Sequence, residues 1–523
     1  MKKNKTKYIT LAILILSVSC TGDFDKINTN PNTLTADQLD ATMAGPSFAN
    51  ALYKGINNAS WDLPEDDPGT YGLITMLHSM LFTHYFSAGP ASWATERNGI
   101  NDGWRSRGWL RFYTLAVPSL RNTYTASEGN AEALAVIDIW KVFMFHRFTD
   151  SWGSVPYSKA GVGGASVAYD SQEAMYTDFF TLLDAANTTL SASTESTVGI
   201  FGSFDKIYGG DVEKWRRFGN SLRLRLALRL SDVAPSIAKA QAEAAVAAGV
   251  IESNEGSAYF ASSSHSYNNF VDIAGGWGFY MSADLESILK GYDDPRLSKW
   301  FAANANGEFV GQPNGGGTVR GWDTDDLSLI NRTTFVSAVA KPIEVMMASE
   351  TYFNRAEGVL NGWSMGSGTA QSHYEQGIRL SLQQWGVTSD ATIDAYIAGT
   401  STAEEPTLVS YYDDAGISTT PPVDVPVLFA GTESDQRKQI AVQKYLGLFP
   451  ESWETWSDLR RTDANILYPL LTTENSAVGR GIMKRLTYLP NEYSTNREAV
   501  DAAVGTISGG QDLGSANVWW DVD

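Results

Sequence analysis

The chain has 523 residues, with 39 Lys and Arg against 59 Asp and Glu, a formal net charge of −20 and a single cysteine. So acidic a surface argues against a nucleic-acid partner, whose phosphates need Lys and Arg to displace counterions, and against electrostatic docking on anionic lipid. One cysteine leaves no internal disulfide, so the fold must rest on core burial, for which the chain is long enough.

The chain opens with Lys2, Lys3, Lys5 and Lys7, then the apolar run Ile9 to Leu16, then Ser17, Val18 and Ser19 before Cys20. Basic, apolar and small residues in that order predict a secretory signal peptide over 1–19; the apolar run is too short to span a bilayer. The segment resembles the lipobox of bacterial lipoproteins, with Ser17 where a lipobox usually opens with Leu. There the cysteine takes a diacylglycerol and becomes the mature N-terminus, which makes Cys20 the expected lipidation site. Removing residues 1–19 lowers Lys and Arg from 39 to 35 against an unchanged 59 acids, a charge of −24.

Beyond the leader most of the chain reads as helix. Helices are predicted from "TADQLDATMAGPSFANALYKG", "TYGLITMLHSMLFTHYF" and "WLRFYTLAVPSLRNTY". In "EALAVIDIWKVFMFHRFTDSW", Ile137, Trp140, Met144 and Phe148 form one stripe that stops before Gly153 and Pro156. His146 on this helix is expected to be packed, not catalytic. "SQEAMYTDFFTLLDAANTTL" follows. In "DVEKWRRFGNSLRLRLALRL" the Leu alternation suits a strand, but Trp215, Phe218, Leu222 and Leu226 fit a helical stripe, and Arg, Leu and Ala are strong helix formers. A helix is expected there, with Arg223, Arg225 and Arg229 in solvated ion pairs. "APSIAKAQAEAAVAAG", "VMMASETYFNRAEGVLNGW", "GTAQSHYEQGIRLSLQQWG" and "ESDQRKQIAVQKYLGLFPESWETWSDLRRT" complete the set. Consecutive helix pairs suggest a solenoid, without a strict repeat period. Trp140, Trp215, Trp363, Trp453 and Trp456 are expected in the core, and Trp519 or Trp520 tucked against the body. Two stretches, about 254–334 and 386–432, are irregular, and connections of that length are usually functional.

Catalytic motifs are missing: H-E-x-x-H, G-x-S-x-G, a P-loop or a cysteine nucleophile. His78 and His84 are six apart and do not share a helix face. Acid pairs such as Asp66/Asp67, Asp293/Asp294 and Asp413/Asp414 are adjacent on the chain, whereas a glycosidase holds its two carboxylates across the scissile bond. Calcium is conceivable at Asp323 to Asp326, but EF-hand spacing is absent, and no metal or other cofactor is expected. Sugar binding needs aromatic faces beside Asn, Asp and Arg. One stretch offers Trp93, Arg97, Asn98, Asn101 and Trp104; the irregular insert offers Tyr267, Asn268, Asn269, Trp277, Tyr280, Trp300 and Trp322. From these, Trp93, Asn98, Asn101, Trp104, Trp277, Tyr280, Trp300 and Trp322 are the expected ligand residues, with Trp93 and Trp277 foremost.

The segments "FDKINTNPN" (24–32), "FHRFTDSWGSVPYSKA", "VEKWRRFGNSLRLRLALRL", "YDDPRLSKWF", "SETYFNRAEGVLNGW", "QKYLGLFPESWETWSDLRRTD" and "KRLTYLPNEYSTNREAV" resemble, in order, those of the SusD/RagB family of surface lipoproteins. The resemblance implies a mainly α fold, a bundle of tetratricopeptide-like helix pairs with a loop-rich irregular layer, in one domain over 36–523. It implies an acylated tether over 20–35, with an acidic pair behind Cys20 like the surface-export tag of Bacteroidetes-type lipoproteins. It implies a lipid-anchored protein on the cell outer membrane. Such a protein captures oligosaccharide for a SusC-like TonB-dependent outer-membrane transporter and is not an enzyme. A peptide ligand is the alternative; a secreted glycan-cleaving enzyme is a further one.

Overall fold

Helix boundaries follow from capping chemistry in a chain whose computed structural model describes residues 39–56, 71–89, 93–162, 166–316, 324–337 and 340–522. The leader, Cys20, the tether, Asp66/Asp67, Trp322 and Asp323 lie outside the described residues. In chain order, α1 is Ala44–Gly55, and α2 is Gly72–Ser79, wound as a π-helix and continued by Met80–Phe82. Strand β1 (Phe86–Ala88) precedes α3 (Asp102–Arg111) and α4 (Val117–Ala126). Then come α5 (Ala131–Trp152), α6 (Gln172–Ala192), α7 (Val212–Arg229) and α8 (Pro235–Ala248). Asn130, Ser171 and Asp211 cap α5, α6 and α7 by accepting from the N–H of the residue three ahead.

The stretch expected to be irregular carries β2 (Ala258–Phe260), α9 (Asn269–Gly276), β3 (Phe279–Met281) and α10 (Ala283–Gly291). After β4 (Ile343–Met346) come α11 (Ala348–Leu360), α12 (Ala370–Gln384), α13 (Asp390–Ile397), α14 (Glu433–Leu448), α15 (Ser452–Thr462), α16 (Pro490–Thr495) and α17 (Arg497–Val504). Two antiparallel ribbons tie the insert to the helical body. Phe86, Ser87 and Ala88 of β1 face Met281, Tyr280 and Phe279 of β3, while β2 pairs with β4 at the entrance to α11. The second loop-rich stretch, about 386–432, holds α13 and the short helix Ser410–Asp414, and buries Val423, Val425 and Val427.

Helix pairs organise the body: α1 packs on α4, α5 on α6, α7 on α8 and α11 on α12, with α14 laid along α11. This is the mainly helical, paired architecture that the sequence implied. Trp140, Trp215, Trp453 and Trp456 are buried as expected, and so is His146. Among the described residues no helix is long and apolar enough to cross a membrane.

Two expectations are overturned. Arg225 and Arg229 are not solvated; both are buried. Being four apart on α7, they share the face turned toward α11 and α15. Arg225 Nε and Nη2 donate to Glu350 at 2.7 and 2.6 Å, and Arg229 Nη2 donates to both Glu454 oxygens at 2.7 Å. Arg229 Nε also lies 3.3 Å from Asp150. Burial works against both guanidinium charges, and the carboxylates more than restore them, holding both pKa values above the ordinary arginine value. Arg223, also largely buried, reaches outward to exposed Asp184 at 2.9 Å. Trp363, in turn, does not sit on a core stripe: it falls in the turn after α11, half-buried.

The tail closes the structure. Trp520 is buried, and its indole N–H donates to Asp150 at 2.7 Å, while Arg460 lies against the Trp456 and Trp520 rings.

Candidate ligand-binding site

The β1–β3 ribbon, the start of α2 and the segment 93–104 meet at one aromatic cluster. Trp93, the residue before a short 3-10 turn (Ala94–Arg97), lies 4.8 Å from Phe279 and 6.3 Å from Trp277, centroid to centroid. Phe279 is fully buried and serves as the base. Trp277 follows the Gly275-Gly276 end of α9 and leans on α2 at Gly72, where an added Cβ would come 2.6 Å from the indole. Trp93, Trp104, Tyr267 and Trp277 are all half-buried against the same core cluster. Two half-buried indoles fixed against one core offer apolar aromatic surface, the element needed to stack on a sugar ring or a flat side chain.

Polar residues brace this face from behind. Ser87 Oγ donates to buried Glu96 at 2.6 Å and receives the Gln312 amide at 2.9 Å. Asn314 donates to the Phe86 carbonyl at 2.8 Å, and Arg97 Nε donates to Glu474 at 2.7 Å. The same bracing engages Asn98 and Asn101, two of the expected ligand residues, and Asn268 of the insert. Asn98 is buried at φ 59°, its amide donating to the Gly479 and Gly481 carbonyls at 3.1 and 2.8 Å. Asn101 caps α3, accepting from the Trp104 N–H at 3.1 Å. Asn268 is buried and donates to the Pro342 carbonyl at 3.0 Å.

Tyr280 and Trp300 depart furthest from expectation. Strand alternation puts Tyr280 on the ribbon face opposite Phe279, where it is buried with Val310 and Leu327. Trp300 is 0% exposed and stacks on Phe449 at 4.4 Å, deep in the core; it reaches no surface a ligand could touch. Trp93 and Trp277 are therefore brought together, Trp104 packs half-buried on the same core cluster, and Tyr280 and Trp300 are buried away from any surface.

One residue escaped the sequence reading. Exposed Arg332 lays its guanidinium across Gly275, where an added Cβ would come 2.1 Å from Nη2. Gly275 lies two residues before Trp277, so this guanidinium is held on the same short stretch of the insert. The signal was the Gly275-Gly276 pair, but nothing in sequence spacing links it to position 332.

Groups able to do acid–base chemistry lie elsewhere. His84, at φ 50°, has Nδ1 2.8 Å from buried Asp284 and lines a separate cleft of about 480 Å³ with Asp463, Tyr468 and Lys484. Asp284 also accepts the Tyr468 N–H at 2.6 Å, so the pair is tied into the frame. His78 donates from Nδ1 to the Leu73 carbonyl at 2.7 Å, and burial depresses its pKa to about 4. Among the described residues no group of three or more His, Cys, Asp or Glu is arranged to hold a metal ion.

The whole architecture recurs in solved structures. A chitin-binding SusD homolog from Flavobacterium johnsoniae is 34% identical, with a TM-score of 0.81 over 91% of this chain and 98% of that one. A SusD homolog from Bacteroides uniformis is 29% identical, with a TM-score of 0.79 over 92% and 99%. A chitin-binding protein is 26% identical, with a TM-score of 0.74 over 92% and 100%. No curated protein matches the chain by sequence. The family model for SusD and RagB outer membrane lipoproteins matches residues 26–521, and the chain belongs to that SusD-like family.

Proposed function

We propose that the protein is a surface lipoprotein, anchored through a lipid on Cys20, that captures an oligosaccharide and hands it to a SusC-like TonB-dependent transporter. The observation that carries the reading is the Trp93–Trp277 pair, two indoles backed by Phe279 and Gly72 on a braced ribbon. Stacking on such a pre-positioned face needs little reorganisation, and exposed Arg332, held over Gly275 of the same insert, would add a donor. Two of the similar solved proteins are described as chitin-binding, so oligomers of N-acetylglucosamine are the first ligands to try. No step of bond cleavage is assigned: the His84–Asp284 pair sits in another cleft and does not border the indoles.

Calorimetric titration with chitohexaose and maltohexaose tests the reading. Binding without cleavage is expected, weakened by about 1–3 kcal/mol in Trp277→Ala. Binding of cationic peptides alone would overturn the saccharide assignment, and time-dependent hydrolysis would overturn the non-catalytic one. For the anchor, Cys20→Ala should abolish labelling by a fatty-acid analogue; a wild-type protein that stays unlabelled would sink it.

A further inference from the structure

We propose a second saccharide-binding cleft on this molecule, built on Trp363 and suited to an uncharged, hydroxyl-rich oligomer. The cleft has a volume of about 760 Å³ and lies among the ends of α11 and α15, the first turns of α14 and the α7–α8 connection. Ligand sites commonly fall between roughly 300 and 1,000 Å³. It shares no lining residue with the Trp93–Trp277 platform.

Its aromatic element is set by the turn that closes α11. The Trp363 N–H donates to the Gly358 carbonyl at 2.9 Å. With no side chain at Gly358, the indole lies close to the helix: an added Cβ there would come 3.4 Å from the ring and 2.5 Å from the Met365 sulfur. The indole is thus seated on one side and half-exposed to the cleft. A stretch expected to bury this tryptophan instead leaves it as a platform.

The charged groups around it decide the ligand class. Lys444 pairs with Asp458 at 2.6 Å, and Arg461 pairs with Glu357 and Asp458 at 2.5 and 2.9 Å. Arg437 pairs with Glu433 at 2.7 Å and donates to Asn361 at 2.8 Å. Each cation therefore faces an anion already, and an ionic ligand would have to break a closed pair, which at Lys444 and Arg461 leaves a buried charge behind. A neutral polyol would not. Its hydroxyls can donate to the unused carboxylate lone pairs and accept from amide hydrogens, while the sugar ring covers the indole. On the far wall Asp463 and Asn465 hold φ of 42° and 49°, a conformation non-glycine residues adopt at a cost that surrounding structure must support.

This inference rests on the reading of the chain as a saccharide binder, and one experiment separates the two. Chitohexaose is titrated calorimetrically into wild type, Trp363→Ala, Asp232→Tyr and the double variant Trp93→Ala/Trp277→Ala, with thermal melts of each. Wild type should show two classes of site. Trp363→Ala should lose one class, an affinity drop of about ten-fold or more for that class. Asp232→Tyr, whose exposed side chain at the mouth bears on no core packing, should lose the same class by filling it. The double variant should keep that class and lose the other. Affinity at the Trp363 class should hold constant as salt is raised, because a neutral oligomer brings no charge to screen. A titration unchanged in both Trp363→Ala and Asp232→Tyr overturns this cleft and leaves the platform reading standing. Wild type silent toward chitohexaose and maltohexaose overturns both.

Discussion

Gly72 holds the candidate platform in place by having no side chain. An alanine there would put Cβ 2.6 Å from the Trp277 indole, closer than packed carbons approach, so the ring must swing off α2. The position is helical and accepts alanine without backbone strain. Gly72→Ala should therefore lower oligosaccharide affinity as much as Trp277→Ala, about 1–3 kcal/mol, with helix content unchanged by circular dichroism. Undiminished affinity would show that the Trp277 face is not the ligand face. At this scale the sequence was a partial guide. That Trp93 and Trp277 meet fits the expectation that large aromatics on irregular chain are held for a reason; whether they touch ligand is what the titrations decide. The roles of Asn98, Asn101 and Trp300 were not legible, because residue type does not reveal which hydrogen bonds the backbone has already claimed. Asn98 goes to two carbonyls, Asn101 to a helix cap, and Trp300 to a ring on the other side of the core.

Among the elements, α7 bears the most concentrated burden. Its two inward arginines meet Glu350 from α11 and Glu454 from α15, so one helix is keyed to two others by charge. Glu454→Gln leaves Arg229 with only Asp150 at 3.3 Å. Breaking a buried pair in this way should cost about 3–5 kcal/mol in chemical denaturation. Arg217→Ala, which loses a partly exposed pair with Glu213, should cost at most about 1 kcal/mol. Equal costs would refute the claim that burial sets the difference. The helix itself was readable from the spacing of Trp215, Phe218, Leu222 and Leu226. That its arginines turn inward was not, since their partners lie 125 and 225 residues along the chain. The β1–β3 ribbon escaped for the same reason: each strand is three residues long and acquires its meaning only from the other.

For the molecule as a whole, buried histidines tie stability to pH. Burial holds His78 at about 4 against an ordinary 6.5. His146 is also held well below 6.5, by burial and by Arg225, Arg229 and Arg147. As pH falls below about 6.5 the unfolded chain takes up protons that the folded chain refuses, so stability drops through the window down to about 4. Asp150 and Glu451, whose carboxyls burial pushes up, act in the opposite sense nearer their ordinary 3.8 and 4.5. The upper part of the window therefore belongs to the histidines. Thermal melts should show a falling midpoint there, and His78→Asn, which keeps a donor for the Leu73 carbonyl, should flatten the slope. A slope unaltered by that change would place the effect elsewhere.

The Trp520–Asp150 bond joins residues 370 apart, and the neighbouring Trp519 N–H donates to Gln172 at 2.9 Å. A chain delivered N-terminus first presents Asp150, Arg229 and Gln172 long before their last partner emerges. Until then an acid and a guanidinium face an open slot. The turn at Trp519 and Trp520 thus works as a latch across α5, α6 and α7. Trp520→Ala should leave the helices formed but the latch undone, seen as faster cleavage by protease near α5 and α15 under native conditions. A polypeptide cut short before Val518 would carry the same weakness, and a protease would find it first at that slot.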